Sequence, residues 1–393
     1  MLTWSNVHQY LFLSPPLVEV RFAGSCADTP AACTEVLKSK PGFCIRTTSP
    51  RTPCDVGPCR LPSQLAAIGS SPSSSPRSGR FPEMPLLING DRIDLAQPPG
   101  EVIRTYPQLE EKARVLRGQP AQTVGPKGLL YIQQREFAVT TPKDGSVSIL
   151  GSDDATTCHL VVLRHTGSGA TCLTHCDGSN TRAEVSLIMS AVKSFSNDTE
   201  CGRLEVHLVG GFNDDRQLSQ KLTNQLLRTF DLQQDDVHLV TFCVTELNDR
   251  EEKDNHFPII YGIAVNVKTA EIFHATFPDK GPDKDLRSAR MLTGAPMTNI
   301  YDAKTEQLHI GPYFWMPFPH VDLWLEQDDK QILQNLSTSP LAEPPHFVSH
   351  LRSTLLFLKE HPFPAASLFP NRKPRLYKKT EEGLWERVCF ETI

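Results

Sequence analysis

The chain lacks an uninterrupted hydrophobic run. Its apolar stretch near the N-terminus, Tyr10 to Val20, is broken by Pro15-Pro16, carries Glu19 and follows no cationic segment, so neither a membrane-spanning helix nor a secretory signal is expected. It also lacks an excess of one charge. Lys and Arg number 40 against 45 Asp and Glu, for a formal net charge of -5 mixed along the sequence, which leaves no basic tract for nucleic acid and no basic amphipathic stretch for a membrane surface. An even cysteine framework is missing too: eleven cysteines fall at irregular spacings, unlike a small secreted scaffold, and read as reduced thiols. No internal repeat, coiled coil or other assembly element can be found. The expectation is an intracellular monomer, cytoplasmic with the nucleus as a second compartment.

Composition divides what is present near residue 83. Residues 1–83 hold eleven prolines, the run Ser70-Ser71-Pro72-Ser73-Ser74-Ser75-Pro76 and no sustained period of 2 or 3.6, so too little surface can be buried to offset ordering entropy. A disordered extension is expected there, with Met84 as an alternative start of the functional protein. From Pro85-Leu86-Leu87-Ile88-Asn89-Gly90-Asp91 onward periodic structure continues almost to the end, and 39% hydrophobic content supports a sizeable core.

Within that part, Leu109, Ala113 and Leu116 recur at helical spacing over 108–117, and strand-like runs follow at 128–133, 136–140, 146–150, 159–164 and 170–176. Thr181 with Glu184 makes a capping box for a helix over 182–195, and Asp214 or Asp215 can cap another reaching about residue 230. Leu204 to Leu208 alternates, Val237 to Val244 is nearly all apolar, and Ile259 to Val267 turns at Lys268-Thr269-Ala270 into Glu271 to Phe277 as a hairpin. This pattern predicts an α/β sandwich with largely antiparallel sheets over 84–311. A proline- and aromatic-rich C-terminal extension, 312–393, should pack on it through an amphipathic helix near Phe347 to Lys359.

Chemistry concentrates at Cys158. It closes the stretch Ile149-Leu150-Gly151-Ser152-Asp153-Asp154-Ala155-Thr156-Thr157-Cys158, where a loop rich in glycine, hydroxyls and carboxylates enters an apolar strand, and His175 follows seventeen positions later. Thiol, imidazole and hydroxyl (Ser152) are the parts of a thiol acyl-transfer site. A buried cysteine is commonly just a small hydrophobe, but this loop entry is where backbone N–H groups can receive an oxyanion. On a strand His175 shares a face with Thr171 and Leu173 and opposes Cys172, Thr174 and Cys176. The same alternation argues against zinc at Cys172-x-x-His175-Cys176, since the histidine points away from both sulfurs and no second Cys/His pair stands at ligand spacing. No metal or other cofactor is expected. His159 should face away from the nucleophile, and His165 lies on the following turn, so both rank below His175 as a base.

These residues carry a family resemblance. Met84 to about Glu382 resembles the eukaryotic protein N-terminal asparagine amidohydrolases, through Gly151-Ser152-Asp153-Asp154-Ala155-Thr156-Thr157-Cys158-His159, Thr171-Cys172-Leu173-Thr174-His175-Cys176-Asp177-Gly178, Val209-Gly210-Gly211-Phe212 and Thr245-Glu246-Leu247-Asn248-Asp249-Arg250-Glu251-Glu252. The resemblance implies hydrolysis of the side-chain amide of N-terminal asparagine in proteins and peptides to aspartate plus ammonia, a step of the N-degron pathway. More distantly, the spacing of Ser152, Cys158 and His175, the Gly210-Gly211 pair and the 259–277 hairpin are similar to the bacterial chemoreceptor glutamine deamidases. That likeness implies a deamidase-like α-β-β sandwich and a triad in which His175 is the base for Cys158, and Ser152 orients the imidazole or donates a hydrogen bond to the intermediate. An N-terminal asparagine also needs a group to pair its α-ammonium. Asp153, Asp154, Asp177, Glu246 and Asp249 are the available carboxylates, with Asp154 and Glu246 preferred; each is otherwise a solvated loop charge or a turn cap. Two other readings use the same residues: a transamidase, if an amine replaces water at the thioester, and a non-catalytic adaptor for N-terminal peptides.

Overall fold

Runs of Val, Ile and Leu build the larger of two principal sheets in the computed structural model, which describes residues 86–96, 99–196 and 201–388. The expectations for residues 1–83 and Met84 lie outside the described residues. The strand order in the eight-stranded sheet is Thr298–Asn299, Glu136–Thr140, Thr171–Cys176, His159–His165, Leu204–Gly210, Val237–Val244, Leu86–Ile88 and Asp91–Arg92. Its middle, from Glu136–Thr140 to Leu204–Gly210, is antiparallel, whereas Leu204–Gly210, Val237–Val244 and Leu86–Ile88 run parallel to one another. Val161, Val162, Leu163, Val206, Leu208 and Val209 are all inaccessible to solvent. Such unbroken apolar runs mark strands covered on both faces, and β-branched side chains suit the pleat.

Helices supply part of that cover. Helix Thr181–Lys193 buries Val185, Ile188, Met189 and Val192, and helix Leu218–Asp231 buries Leu222, Leu226, Leu227 and Phe230, each stripe following helical spacing. Both pack on the strands around His159–His165, and helix Pro107–Gly118 packs on Val237–Val244 through Leu109, Ala113 and Leu116. The expected capping box is displaced by one residue. Asn180 is the N-cap, accepting from the Ala183 N–H at 3.4 Å, and Glu184 instead accepts from Ser179 Oγ at 3.1 Å, because asparagine caps at least as well as threonine. Asp214 does serve the next helix, but from outside it: its carboxylate accepts the N–H groups of Leu218 and Ser219 at 2.9 and 2.8 Å, so the helix begins at Leu218.

The second sheet orders Gln122–Thr123, Ile272–Thr276, Ile263–Asn266, Ile149–Ser152 and Leu129–Tyr131. Ile263–Asn266 and Ile272–Thr276 form the anticipated hairpin. Strand Ile149–Ser152 runs two residues past the predicted 146–150, since Gly151 is where the Phe277 ring approaches the backbone: a Cβ there would stand 2.3 Å from the ring. Ser152 is thereby held in ladder register with Ile263 instead of lying in a loop. A third, antiparallel sheet joins Tyr301–Asp302, Gln307–Ile310, Arg375–Lys379 and Trp385–Arg387, so strand pairing crosses position 312. Among the described residues no helix is long and apolar enough to cross a membrane.

Helix Lys284–Leu292, which the sequence reading did not anticipate, buries Leu286, Ala289 and Leu292 and, beside them, Arg287 and Arg290. Arg287 forms an ion pair with Glu136 at 2.6 Å, with side-chain exposures of 1% and 0%, and donates to the carbonyls of Tyr131 and Lys280 at 2.7 and 3.1 Å. Helix Phe347–Glu360 packs on this helix, bringing late sequence against early strands. Removing one member of a buried ion pair strands the other charge. Arg287→Ala should therefore lower unfolding free energy by about 3–5 kcal/mol, measured by urea denaturation.

Candidate active site

Antiparallel pairing sets Leu160 opposite His175 and His159 opposite Cys176 and Gly210. With a side-chain period of two, Cys158 falls on the face of Leu160 and hence of His175, one diagonal step away along the ladder. Ser152 comes from the other principal sheet, with Oγ 2.9 Å from His175 Nδ1. The second ring nitrogen, Nε2, is buried without a hydrogen-bond partner. Cys158 and His175 line the same pocket, an opening of about 870 Å³ counting its mouth. His159 instead points to the helix-covered side, where Nε2 meets Thr223 Oγ1 at 2.7 Å.

Low exposure governs the electrostatics. Cys158 is 8% exposed, His175 3% and Ser152 0%. Burial pushes the Cys158 thiol well up, and the charges of Asp177 and Glu343 push it the same way. Burial also draws His175 down to about 4. At rest the pocket therefore holds a neutral thiol and a neutral imidazole, the imidazole with an open nitrogen that can accept a proton. Cys172, Cys176 and Cys243 are buried thiols, and with Cys158 and Cys201 they carry no disulfide. Among the described residues no cluster of His, Cys, Asp and Glu is arranged to hold a metal ion.

The five carboxylates separate. Asp153 and Asp154 line the pocket, but Lys280 Nζ donates to both, and Asp153 also accepts from Tyr131 Oη at 2.6 Å. Asp154, at a φ of 58°, is further bound by His346 Nε2 at 3.0 Å. Against the upward push of burial, the hydrogen bond from His346 and the charge of Lys280 hold Asp154 far below the usual carboxylate range. Asp177 is not at the pocket wall: it forms a buried ion pair with Arg135 at 2.7 Å and accepts from Gln134 at 2.9 Å. Glu246 is exposed on the short 3-10 helix Thr245–Asn248, and Asp249 is occupied by His256 at 2.7 Å; neither reaches the pocket.

A residue absent from that set does. Glu343 lines the pocket with Pro344, Phe347 and His350, accepts from Ser337 Oγ at 2.5 Å, and is raised by burial to about 7. Its only sequence cue is its place before Pro344-Pro345, where a segment of fixed backbone can stand against a cleft. Lys280 sits in Pro278-Asp279-Lys280-Gly281-Pro282, which reads only as a turn.

An α/β framework that sets a buried thiol and an imidazole with one open nitrogen on a single pocket, with a buried hydroxyl bonded to the imidazole, has the equipment of thiol-dependent amidases. Comparison with known proteins narrows the class. The family described as protein N-terminal asparagine amidohydrolase matches residues 119–387. Proteins of that name from Sus scrofa and Homo sapiens are 74% and 72% identical over 305 residues, covering 78% of this chain and 98% of each relative. One from Arabidopsis thaliana is 29% identical over 309 residues, covering 72% of this chain and 88% of its own. The chain belongs to the protein N-terminal asparagine amidohydrolase family.

An unburied thiol reaches its full alkylation rate above a pKa of about 8.5. Cys158 in the ligand-free protein should instead keep gaining rate as pH rises past that point, with no plateau by about pH 9.5. Iodoacetamide labelling followed by peptide mass spectrometry reads this directly.

Proposed function

We propose that this chain hydrolyses the side-chain amide of asparagine at the N-terminus of proteins and peptides, giving N-terminal aspartate and ammonia through a thioester on Cys158. The observation that carries the proposal is the 2.9 Å contact of the buried Ser152 hydroxyl with His175, which lines one pocket together with Cys158 and Glu343. Ser152 Oγ accepts the Nδ1 proton and leaves Nε2 free to take the proton of Cys158. The thiolate attacks the amide carbon, backbone N–H groups of the Cys158 loop receive the oxyanion, and His175 returns the proton to the departing nitrogen as ammonia leaves. Water then adds to the thioester with His175 again as base, and the thiol is restored. A neutral hydroxyl stabilises the transient imidazolium less than a carboxylate would. The α-β-β, deamidase-like reading of the fold has its support in the same contact, which joins a strand of each principal sheet.

Glu343 is the proposed partner of the substrate α-ammonium, since Asp153 and Asp154 already share Lys280 and His346. Pairing there has a second effect. The charge of Glu343 is one of those that oppose ionisation of Cys158, so a bound ammonium eases thiolate formation at the moment the amide arrives. Placed in the cytoplasm and nucleus, a monomer with this activity and no cofactor would convert N-terminal asparagine to aspartate within the N-degron route of ubiquitin-dependent degradation.

Matched peptides with N-terminal Asn, N-terminal Gln or internal Asn test the activity by a one-dalton mass change and ammonia release. Conversion should be confined to N-terminal Asn, vanish in Cys158→Ala, and slow by about 100- to 1000-fold in Ser152→Ala. Turnover by Cys158→Ala would refute the thioester route. The pH profile tests Glu343. Its carboxylate forms as pH rises through about 7, while a free α-amino group loses its charge near ~7.7–8.0. A bell in kcat/KM between those limits is expected, and Glu343→Gln should remove its rising limb near 7 while increasing KM.

A further inference from the structure

The segment Thr245 to Glu252 and the Gly210-Gly211 pair lie outside the pocket lining, yet both lead to it. Asn248 is fully buried, and its carboxamide makes three hydrogen bonds: Nδ2 donates to the carbonyls of Gly211 at 2.8 Å and Ile260 at 3.1 Å, and Oδ1 accepts from the Ile260 N–H at 2.9 Å. Its own carbonyl accepts from the Ile259 N–H at 2.8 Å. The loop at 259–261 is thus strapped to the turn beneath the nucleophile. At Gly210, with a φ of 119°, an added Cβ would lie 2.7 Å from the Cys158 carbonyl oxygen.

Tyr261 extends the strap in two directions. Its carbonyl accepts from the Ala155 N–H at 3.0 Å, in the loop that ends at Cys158. Its half-buried hydroxyl donates to the carbonyl of Ala342 at 3.0 Å, next to Glu343. One residue therefore spans the nucleophile loop and the carboxylate segment, which are separated by almost half the chain. In asparagine the α-nitrogen and the amide carbon are three bonds apart, and in glutamine four. We infer that Tyr261, seated by Asn248, is the specificity-determining positioning residue that sets the span between Cys158 and Glu343 to that of asparagine.

The inference rests on Glu343 as the ammonium site, so Tyr261→Phe and Glu343→Gln are measured together on N-terminal Asn and Gln peptides in the full chain. A tyrosine-to-phenylalanine change removes one hydroxyl and leaves the Ala155 bond in place. Tyr261→Phe should raise KM for the Asn peptide about three- to tenfold, leave kcat within about twofold, and lower the Asn-to-Gln ratio of kcat/KM by about tenfold. Glu343→Gln should raise KM for Asn at least as much, and the double variant should bind no more weakly than Glu343→Gln alone. An unchanged Asn-to-Gln ratio in Tyr261→Phe, with Glu343→Gln impaired, overturns the role of Tyr261 while sparing the ammonium site. An unaffected KM in Glu343→Gln overturns the ammonium site and, whatever Tyr261→Phe does, the span argued from it.

Discussion

Antiparallel pairing of His159–His165 with Thr171–Cys176 is the constraint from which the pocket follows. A ladder allows each side chain only two directions, and a one-residue slip would exchange them. In the observed register Leu160 faces His175, so the imidazole is on the side of Cys158, while His159 is turned toward Thr223 and the helices. The neighbouring strand Leu204–Gly210 completes the constraint by delivering Gly210 under the Cys158 carbonyl, where no side chain fits. Hydrophobic burial of Val161, Val162 and Leu163 maintains that register; each apolar side chain hidden there is worth about 1.5–3 kcal/mol.

The same burial creates the site's chemical difficulty. A thiol and an imidazole withdrawn from water both favour their neutral forms, so Cys158 and His175 do not rest as an ion pair. On the proposed route, transfer of the proton from Cys158 to His175 in one step costs less than prior charge separation in a low dielectric, and a cationic substrate would offset the carboxylate of Glu343. Charge at the mouth is otherwise internally balanced. Lys280 binds Asp153 and Asp154, and His346 adds to Asp154, leaving Glu343 as the pocket carboxylate held by a neutral hydroxyl.

Residues late in the chain belong to the pocket as fully as those around Cys158. Thr338, Glu343, His346 and His350 line it, and Thr338 Oγ1 meets Thr157 Oγ1 at 3.0 Å next to Cys158. Their placement depends on helix Phe347–Glu360 docking on Lys284–Leu292, itself anchored by the Arg287–Glu136 pair. Buried charge here links strand, helix and pocket wall at a desolvation cost that apolar residues would avoid.

Local patterning in the sequence determined the inner strands of the two principal sheets, four of the helices, the hairpin at 259–277 and the grouping of Ser152, Cys158 and His175, because period-2 and period-3.6 apolar repeats record which face is buried. It also determined the family, through contiguous segments around Cys158. Cap positions shifted where neighbouring residues competed for the same N–H groups, as Asn180 did with Thr181. Tertiary structure alone decided which carboxylate is available. Asp177, Glu246 and Asp154 are alike as sequence, yet one is buried against Arg135, one lies exposed outside the pocket and one is bound by Lys280 and His346. Glu343 enters the site from a proline-rich stretch with no period at all. Availability of a charge is set by its partners in space, and those of Asp154 lie 126 and 192 residues away, beyond the reach of any local pattern.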